Sequence, residues 1–125
     1  MKDIVVTSRG PKPIGPYSQA IKCNGFLFVS GQVGVDPASG EFAGATIQQQ
    51  TERMLENVKA ILEAGGASLG HVVKTTVFLK EMNDFAAMNE VYGRYFSAAP
   101  PARATVQVAR LPKDALVEIE VVAGL

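Results

Sequence analysis

One amphipathic stretch near the middle of the chain limits what it can fold into. Met54, Leu55, Val58, Ile61 and Leu62 fall at i, i+1, i+4, i+7 and i+8. That spacing is one face of an α-helix. Glu52, Arg53, Glu56, Lys59 and Glu63 occupy the other faces. Gly65-Gly66 follows, the residue type that most readily ends a helix. The spacing predicts a helix from Thr46 to Ala64. A helix with one apolar stripe must bury it against a second layer. The segments on either side are the candidates for that layer.

Most of those segments read as strands. Ile4-Val5-Val6 is a short one. The run Gly10-Pro11-Lys12-Pro13-Ile14-Gly15-Pro16 is too rich in Pro and Gly for helix or central strand, and reads as an ordered loop. Tyr17 to Cys23 and Phe26 to Ser30 form a hairpin around Asn24-Gly25, a pair that tolerates the positive φ of a tight turn. Asp36-Pro37-Ala38-Ser39-Gly40 is loop. Val72 to Lys80 is a strand with Val73, Thr75, Val77 and Leu79 on one side. Asn83 or Asp84 caps a second helix that runs to Phe96, with Phe85, Met88, Val91, Tyr92 and Tyr95 as its stripe. Pro100-Pro101 prevents any helical continuation. Arg103 to Ala109 alternates, with Arg103, Thr105 and Gln107 on the polar side. The Leu111–Asp114 turn then leads into a last strand, Leu116 to Ala123, as a closing hairpin. The expected fold is α+β over residues 1–125: one mixed sheet with two helices packed on one face. The other sheet face stays uncovered, which points to an oligomer.

The counts narrow the function classes. At 125 residues with 47% hydrophobic side chains, the chain suits one globular domain with its own core. Twelve basic and twelve acidic residues cancel, so nucleic acid is not an expected partner. Cys23 is the one cysteine and His71 the one histidine, which excludes an internal disulfide and a Cys/His zinc cage. Cys23 has no basic neighbour in sequence to activate its thiol. His71 reads as a surface residue before a strand. No metal or other cofactor is expected. No apolar run approaches the ~20 residues of a membrane span, and the N-terminus has no leader character. A cytoplasmic protein is expected.

Three features carry chemistry. Arg103 opens a strand directly after Pro100-Pro101-Ala102, and a guanidinium held there can grip a carboxylate through two parallel hydrogen bonds. Glu118 and Glu120 share one face of the last strand, where mutual repulsion raises the proton affinity of one. The closing hairpin would bring Arg103 and Glu118 to the same space. Tyr17 follows the stiff loop, and Ser30-Gly31-Gln32 ends a strand with a glycine that lets a ligand approach backbone N–H groups. Each also has an ordinary reading: a paired surface arginine, a solvated face, a core tyrosine with a bulge glycine.

Several segments together resemble the RidA family, also called YjgF or L-PSP endoribonuclease-like proteins. They are Ile14-Gly15-Pro16-Tyr17-Ser18-Gln19, Ser30-Gly31-Gln32, Asn57 to Leu62, Val73 to Phe78, and Pro101-Ala102-Arg103 through Asp114. The resemblance implies a chorismate-mutase-like fold and a homotrimer with a site in each cleft between subunits. It implies hydrolysis of 2-imino acids, such as 2-iminobutanoate and 2-iminopropanoate, to 2-oxo acids and ammonia without a cofactor. By this resemblance Arg103 binds the substrate carboxylate, the Gly31 backbone lies beside the substrate with Ser30, and Tyr17 lines the pocket. Glu118 positions or activates water, and Asn89 lies near the site. Many members carry Cys two residues after the arginine. Thr105 stands there in this chain, so a hydroxyl takes the place of a thiol and can hydrogen-bond an imine nitrogen or water. Two other readings compete: a non-catalytic trimer that binds a small carboxylate and regulates a partner, and an endoribonuclease-type translation inhibitor. The balanced charge counts against the last.

Overall fold

The central helix begins where its cap dictates. Thr46 Oγ1 accepts a hydrogen bond from the Gln49 N–H at 3.1 Å, and the Thr46 N–H donates to Gln49 Oε1 at 3.3 Å. This capping box satisfies donors that the first turn leaves free. Helix α1 then runs Ile47–Ala64 and stops at Gly65, as its pattern predicts. The computed structural model describes residues 1–125. Its other elements are β1 (Asp3–Val5), β2 (Ala20–Cys23), β3 (Phe26–Val33), β4 (Val72–Leu79), α2 (Phe85–Tyr95), β5 (Ala102–Gln107) and β6 (Val117–Gly124).

The strands form one six-stranded sheet in the order β1-β2-β3-β6-β4-β5. Every neighbouring pair is antiparallel except β4 and β5. A parallel pair needs a crossover, and α2 supplies it. The architecture is the expected α+β mixed sheet with both helices on one face.

The closing hairpin is not there. β6 lies between β3 and β4, while β5 sits beyond β4 at the sheet edge. Burial explains the order. Val117, Ile119, Val121 and Ala123 are all buried under the helices, so β6 belongs in the middle. β5 carries Arg103, Thr105 and Gln107 and suits a rim. The segment between them crosses the end of β4. There the Val108 N–H donates to Leu79 O at 2.9 Å and the Lys80 N–H to Leu116 O at 3.0 Å.

Two smaller expectations also change. A register shift between Val72 and Lys74 turns Val72 inward and leaves Val73 48% exposed, so Val73 does not share a side with Thr75 and Val77. Residues 17–19 are loop, because β2 starts at Ala20. The Gln19 side chain acts there as a clamp. It accepts from the Thr7 N–H at 2.7 Å and donates to Thr7 O and Pro11 O, both at 2.9 Å. This anchors the Pro-rich loop. Gly10 lies so close to Ile61 that a Cβ would meet its Cγ1 at 2.9 Å.

The core fills the space between the helices and the sheet. Met54, Leu55, Val58, Ile61 and Leu62 are fully buried there. Asn57 is buried with them, and its amide donates to Val33 O at 3.2 Å and Val35 O at 2.8 Å. The opposite sheet face has no such cover. Ile4, Phe26, Phe28 and Val106 are exposed on it. No helix is long and apolar enough to cross a membrane.

Asn57 caps the end of β3 from inside the core, so its loss strands Val35 O away from water and leaves Val33 O with only the Val35 N–H. Asn57→Leu is expected to lower stability by about 2–4 kcal/mol, read from urea unfolding at unchanged slope. A loss below about 0.5 kcal/mol would show that these carbonyls find other partners.

Candidate active site

The first group of predicted residues gathers where β3 bulges. The β3–β6 register shifts between Val29 and Gln32, which pushes Gly31 out of line. Gly31 then lies directly against Glu118 of β6. A Cβ on Gly31 would collide with the Glu118 carboxylate, whose Cδ would be 3.0 Å away. A side chain here would push the Glu118 carboxylate out of its present position. Ser30 Oγ donates to Ser18 O at 2.5 Å and ties the bulge to the loop that carries Tyr17. The Tyr17 hydroxyl accepts from the Ile14 N–H at 3.3 Å, and its ring stays 48% exposed. Tyr17, Ser30, Gly31, Glu118 and Glu120 line one open cavity of about 630 Å³.

Burial raises the Glu118 carboxyl above the usual carboxylate range, and the charge of Glu120 adds to the effect. A carboxyl held in this way has a proton to lend nearer neutral pH than an ordinary glutamate.

The second group forms around Arg103. β5 pairs with β4 so that Arg103 lies opposite Thr75, on the helix side of the sheet. Arg103 Nη1 donates to Asn89 Oδ1 of α2 at 2.7 Å. The guanidinium carbon sits 4.7 Å from the centre of the Tyr92 ring and 5.4 Å from that of Phe85. Aromatic faces attract a cation at such distances. The Tyr92 hydroxyl shares a hydrogen bond with Thr75 Oγ1 at 2.8 Å. Burial raises the Tyr92 proton affinity, against the opposing pull of Thr75 and of the Arg103 charge. Tyr92 is thus a neutral wall for the guanidinium. The three ion pairs of the chain are Arg9–Glu63, Arg94–Glu90 and Arg110–Asp114. Arg103 is in none of them, and its remaining N–H groups are available to an anion. Thr105 follows two residues along the same face, and its Oγ1 is buried without a hydrogen-bond partner.

The expected meeting of Arg103 and Glu118 within one chain does not occur. β4 separates their strands. Glu118 pairs across with Phe78 and Val33 on the uncovered face, while Arg103 pairs with Thr75 on the helix face. Side chains alternate along a strand, so residue parity puts the two on opposite sides. The predicted site is therefore two half-sites: Tyr17, Ser30, Gly31 and Glu118 in one, Arg103, Asn89 and Thr105 in the other.

Sequence reasoning passed over Phe85 and Tyr92 as partners of the arginine. They read as core residues of the helical stripe. The signal was their spacing with Asn89, since positions 85, 89 and 92 share one helix face. No three His, Cys, Asp or Glu side chains converge to hold a metal ion.

A bulged central sheet with an arginine on its rim and a glutamate on its open face, covered by two helices on the other, defines a small α+β protein. Known proteins resemble this chain in sequence and fold along its length. A family model described as Endoribonuclease L-PSP matches residues 7–125. A RutC family protein of Pyrococcus horikoshii is 58% identical over 123 residues, covering 98% of both chains. The mouse protein named 2-iminobutanoate/2-iminopropanoate deaminase is 44% identical, over 98% of this chain and 91% of its own. The crystal structure of E. coli TdcF with bound serine has a TM-score of 0.95 at 48% identity and covers 98% of both chains. The chain belongs to the L-PSP family, the RidA or YjgF proteins that its motifs resemble.

Glu118 gives this site a pH signature. The folded chain holds the Glu118 proton more tightly than the unfolded chain, so stability falls as pH rises through the folded value. Ionised Glu118 costs stability near neutrality and nothing in acid. Glu118→Gln is expected to raise the urea midpoint at about pH 8, with the gain gone below about pH 3.5. A gain that persists in acid would assign the effect to packing.

Proposed function

We propose that this protein hydrolyses 2-imino acids, such as 2-iminobutanoate and 2-iminopropanoate, to 2-oxo acids and ammonia. The reaction takes place in clefts between copies of the chain, in a homotrimer. The observation that carries this reading is the split of the site. Each face of the sheet holds half of the chemistry that an imino acid requires. In a closed ring each chain lends its arginine half to one neighbour and its carboxylate half to the other. The exposed Phe26, Phe28 and Val106 suit a face that packs on a second copy. The names of the mouse and Arabidopsis relatives, both deaminases, support the reaction class. The serine bound to TdcF has a carboxylate beside a nitrogen-bearing carbon, as the proposed substrate does.

Each residue then has a task. Arg103 grips the substrate carboxylate through two parallel N–H···O bonds. Asn89, Tyr92 and Phe85 hold the guanidinium still. The protonated imine carbon is electrophilic. Water attacks it, a C–O bond forms, and the C=N electron pair moves to nitrogen. Ionised Glu118 takes the proton that the water gives up. It then returns this proton to the amine nitrogen of the carbinolamine. The C–N bond breaks, ammonia leaves, and the hydroxyl proton departs as the carbonyl forms. Thr105 Oγ1, buried and unpartnered, has a hydrogen bond to offer the imine nitrogen or water. Imines hydrolyse unaided, so positioned acid–base groups worth about 10²–10⁴-fold are sufficient.

The test couples threonine dehydratase, which releases 2-iminobutanoate, to trapping of the remaining imine by semicarbazide. The native protein is expected to lower trapping. Arg103→Ala and Glu118→Gln are each expected to lose about 10²-fold or more. Unfolding and reassembling the two variants together is expected to restore about one quarter of native activity, since each mixed cleft draws its halves from different chains. A native protein that leaves trapping unchanged would refute the activity. A mixture that stays inactive would place both halves within one chain.

A further inference from the structure

The cavity beside Glu118 exceeds what a four-carbon imino acid fills. Its volume is about 630 Å³, and cavities of about 300–1,000 Å³ hold molecules of drug size. Besides Gly31 and Glu118, the cavity is lined by Val35, Asp36, Pro37, Gly40, Pro112 and Lys113. These residues come from two separate loops. One is a small hairpin: the Asp36 N–H donates to Glu41 O at 2.8 Å, and Val35 bridges to Phe42. The other is a turn closed by the Ala115 N–H on Pro112 O at 3.1 Å.

One hydrogen bond joins the two loops. Lys113 Nζ donates to Gly40 O at 2.9 Å, across 73 residues of chain. The turn that presents Lys113 is strained. Lys113 has φ 57° and Asp114 φ 58°, a left-handed pair usually given to Asn and Gly. Strain of this kind persists only where the surroundings enforce it, and it gathers at ligand clamps. The Arg110–Asp114 ion pair holds one side of the turn at 2.8 Å, and the Lys113–Gly40 bond holds the other.

We propose that Lys113 is a positioning residue that closes the far wall of the cavity, and that this wall is the subsite for the substrate side chain. With the ammonium engaged by Gly40, Lys113 lines the cavity together with Pro37, Val35 and Pro112. That surface suits a branched or long apolar side chain and offers nothing to a methyl group that stays near Gly31. The proposal rests on the imino-acid reading above and adds that Lys113 sets preference by side-chain size.

The experiment compares two imines in the semicarbazide assay. Serine dehydratase supplies 2-iminopropanoate, and an L-amino-acid oxidase acting on leucine supplies 2-imino-4-methylpentanoate. The readout is the ratio of kcat/KM for the larger imine to that for the smaller. Lys113→Met is expected to lower this ratio about tenfold, through KM for the larger imine. Lys113→Arg keeps a donor for Gly40 and is expected to hold the ratio within about twofold. If Lys113→Met does not fold, Pro37→Ala alters the same wall and is expected to lower the ratio in the same direction. A ratio unchanged in a folded Lys113→Met, or one that falls equally in Lys113→Arg, overturns the proposal. A native protein that acts on neither imine overturns the underlying reading instead.

Discussion

The alternation of β6 governs the rest of the molecule. Val117, Ile119, Val121 and Ala123 go under the helices because their burial drives the core, at about 25 cal/mol for each Å² of apolar surface. The strand has a period of two, so Glu118 and Glu120 have no choice of face. They stand on the uncovered side, where burial and mutual repulsion raise the Glu118 carboxyl. The hydrophobic core and the titration of the candidate base are thus one decision of the chain. A one-residue slip of β6 would bury both glutamates among Leu and Met side chains, at a cost the fold has no means to offset.

Side-chain amides hold the loops to this sheet. Gln19 clamps the Pro-rich loop, and Asn57 caps the end of β3 from within the core. Gln50 works in the same way, accepting from the Leu116 N–H at 2.9 Å and donating to Gly44 O at 3.1 Å. These groups are uncharged and fully engaged, so they fix irregular backbone without burying charge. The loops that wall the cavity are thus tied to the sheet and to helix α1 by side-chain hydrogen bonds.

Much of this was legible in the residue order. The helical stripe from Met54 to Leu62, its glycine stop and the Asn24-Gly25 hairpin all follow from local rules, and the structure keeps them. Gly31, Glu118 and Arg103 stand in short motifs that single them out, but the residue order does not divide them between the two faces of the sheet. What failed was the pairing of strands. The Leu111–Asp114 segment looks like a hairpin turn, and local chemistry cannot tell a hairpin from a crossing over one strand. The choice between them belongs to burial summed over the whole sheet, which puts apolar β6 inside and polar β5 at the rim. The Val73 inversion has the same origin, since a bulge adds one residue that no periodic pattern announces.

The place of β6 also orders events in time. β1, β2 and β3 form one antiparallel group, and β4 with β5 forms another. No ladder joins β3 to β4 directly; β6 is hydrogen-bonded to both. Of the six strands it is the last to be synthesised. Until it emerges, neither β3 nor β4 has the neighbour that joins them in the native sheet, and the edges that β6 covers are unpaired. Such edges invite pairing with the wrong chain. Folding of this sheet is therefore completed only after synthesis of its final strand, and the keystone of the native structure is also the point at which its assembly is most exposed to misdirection.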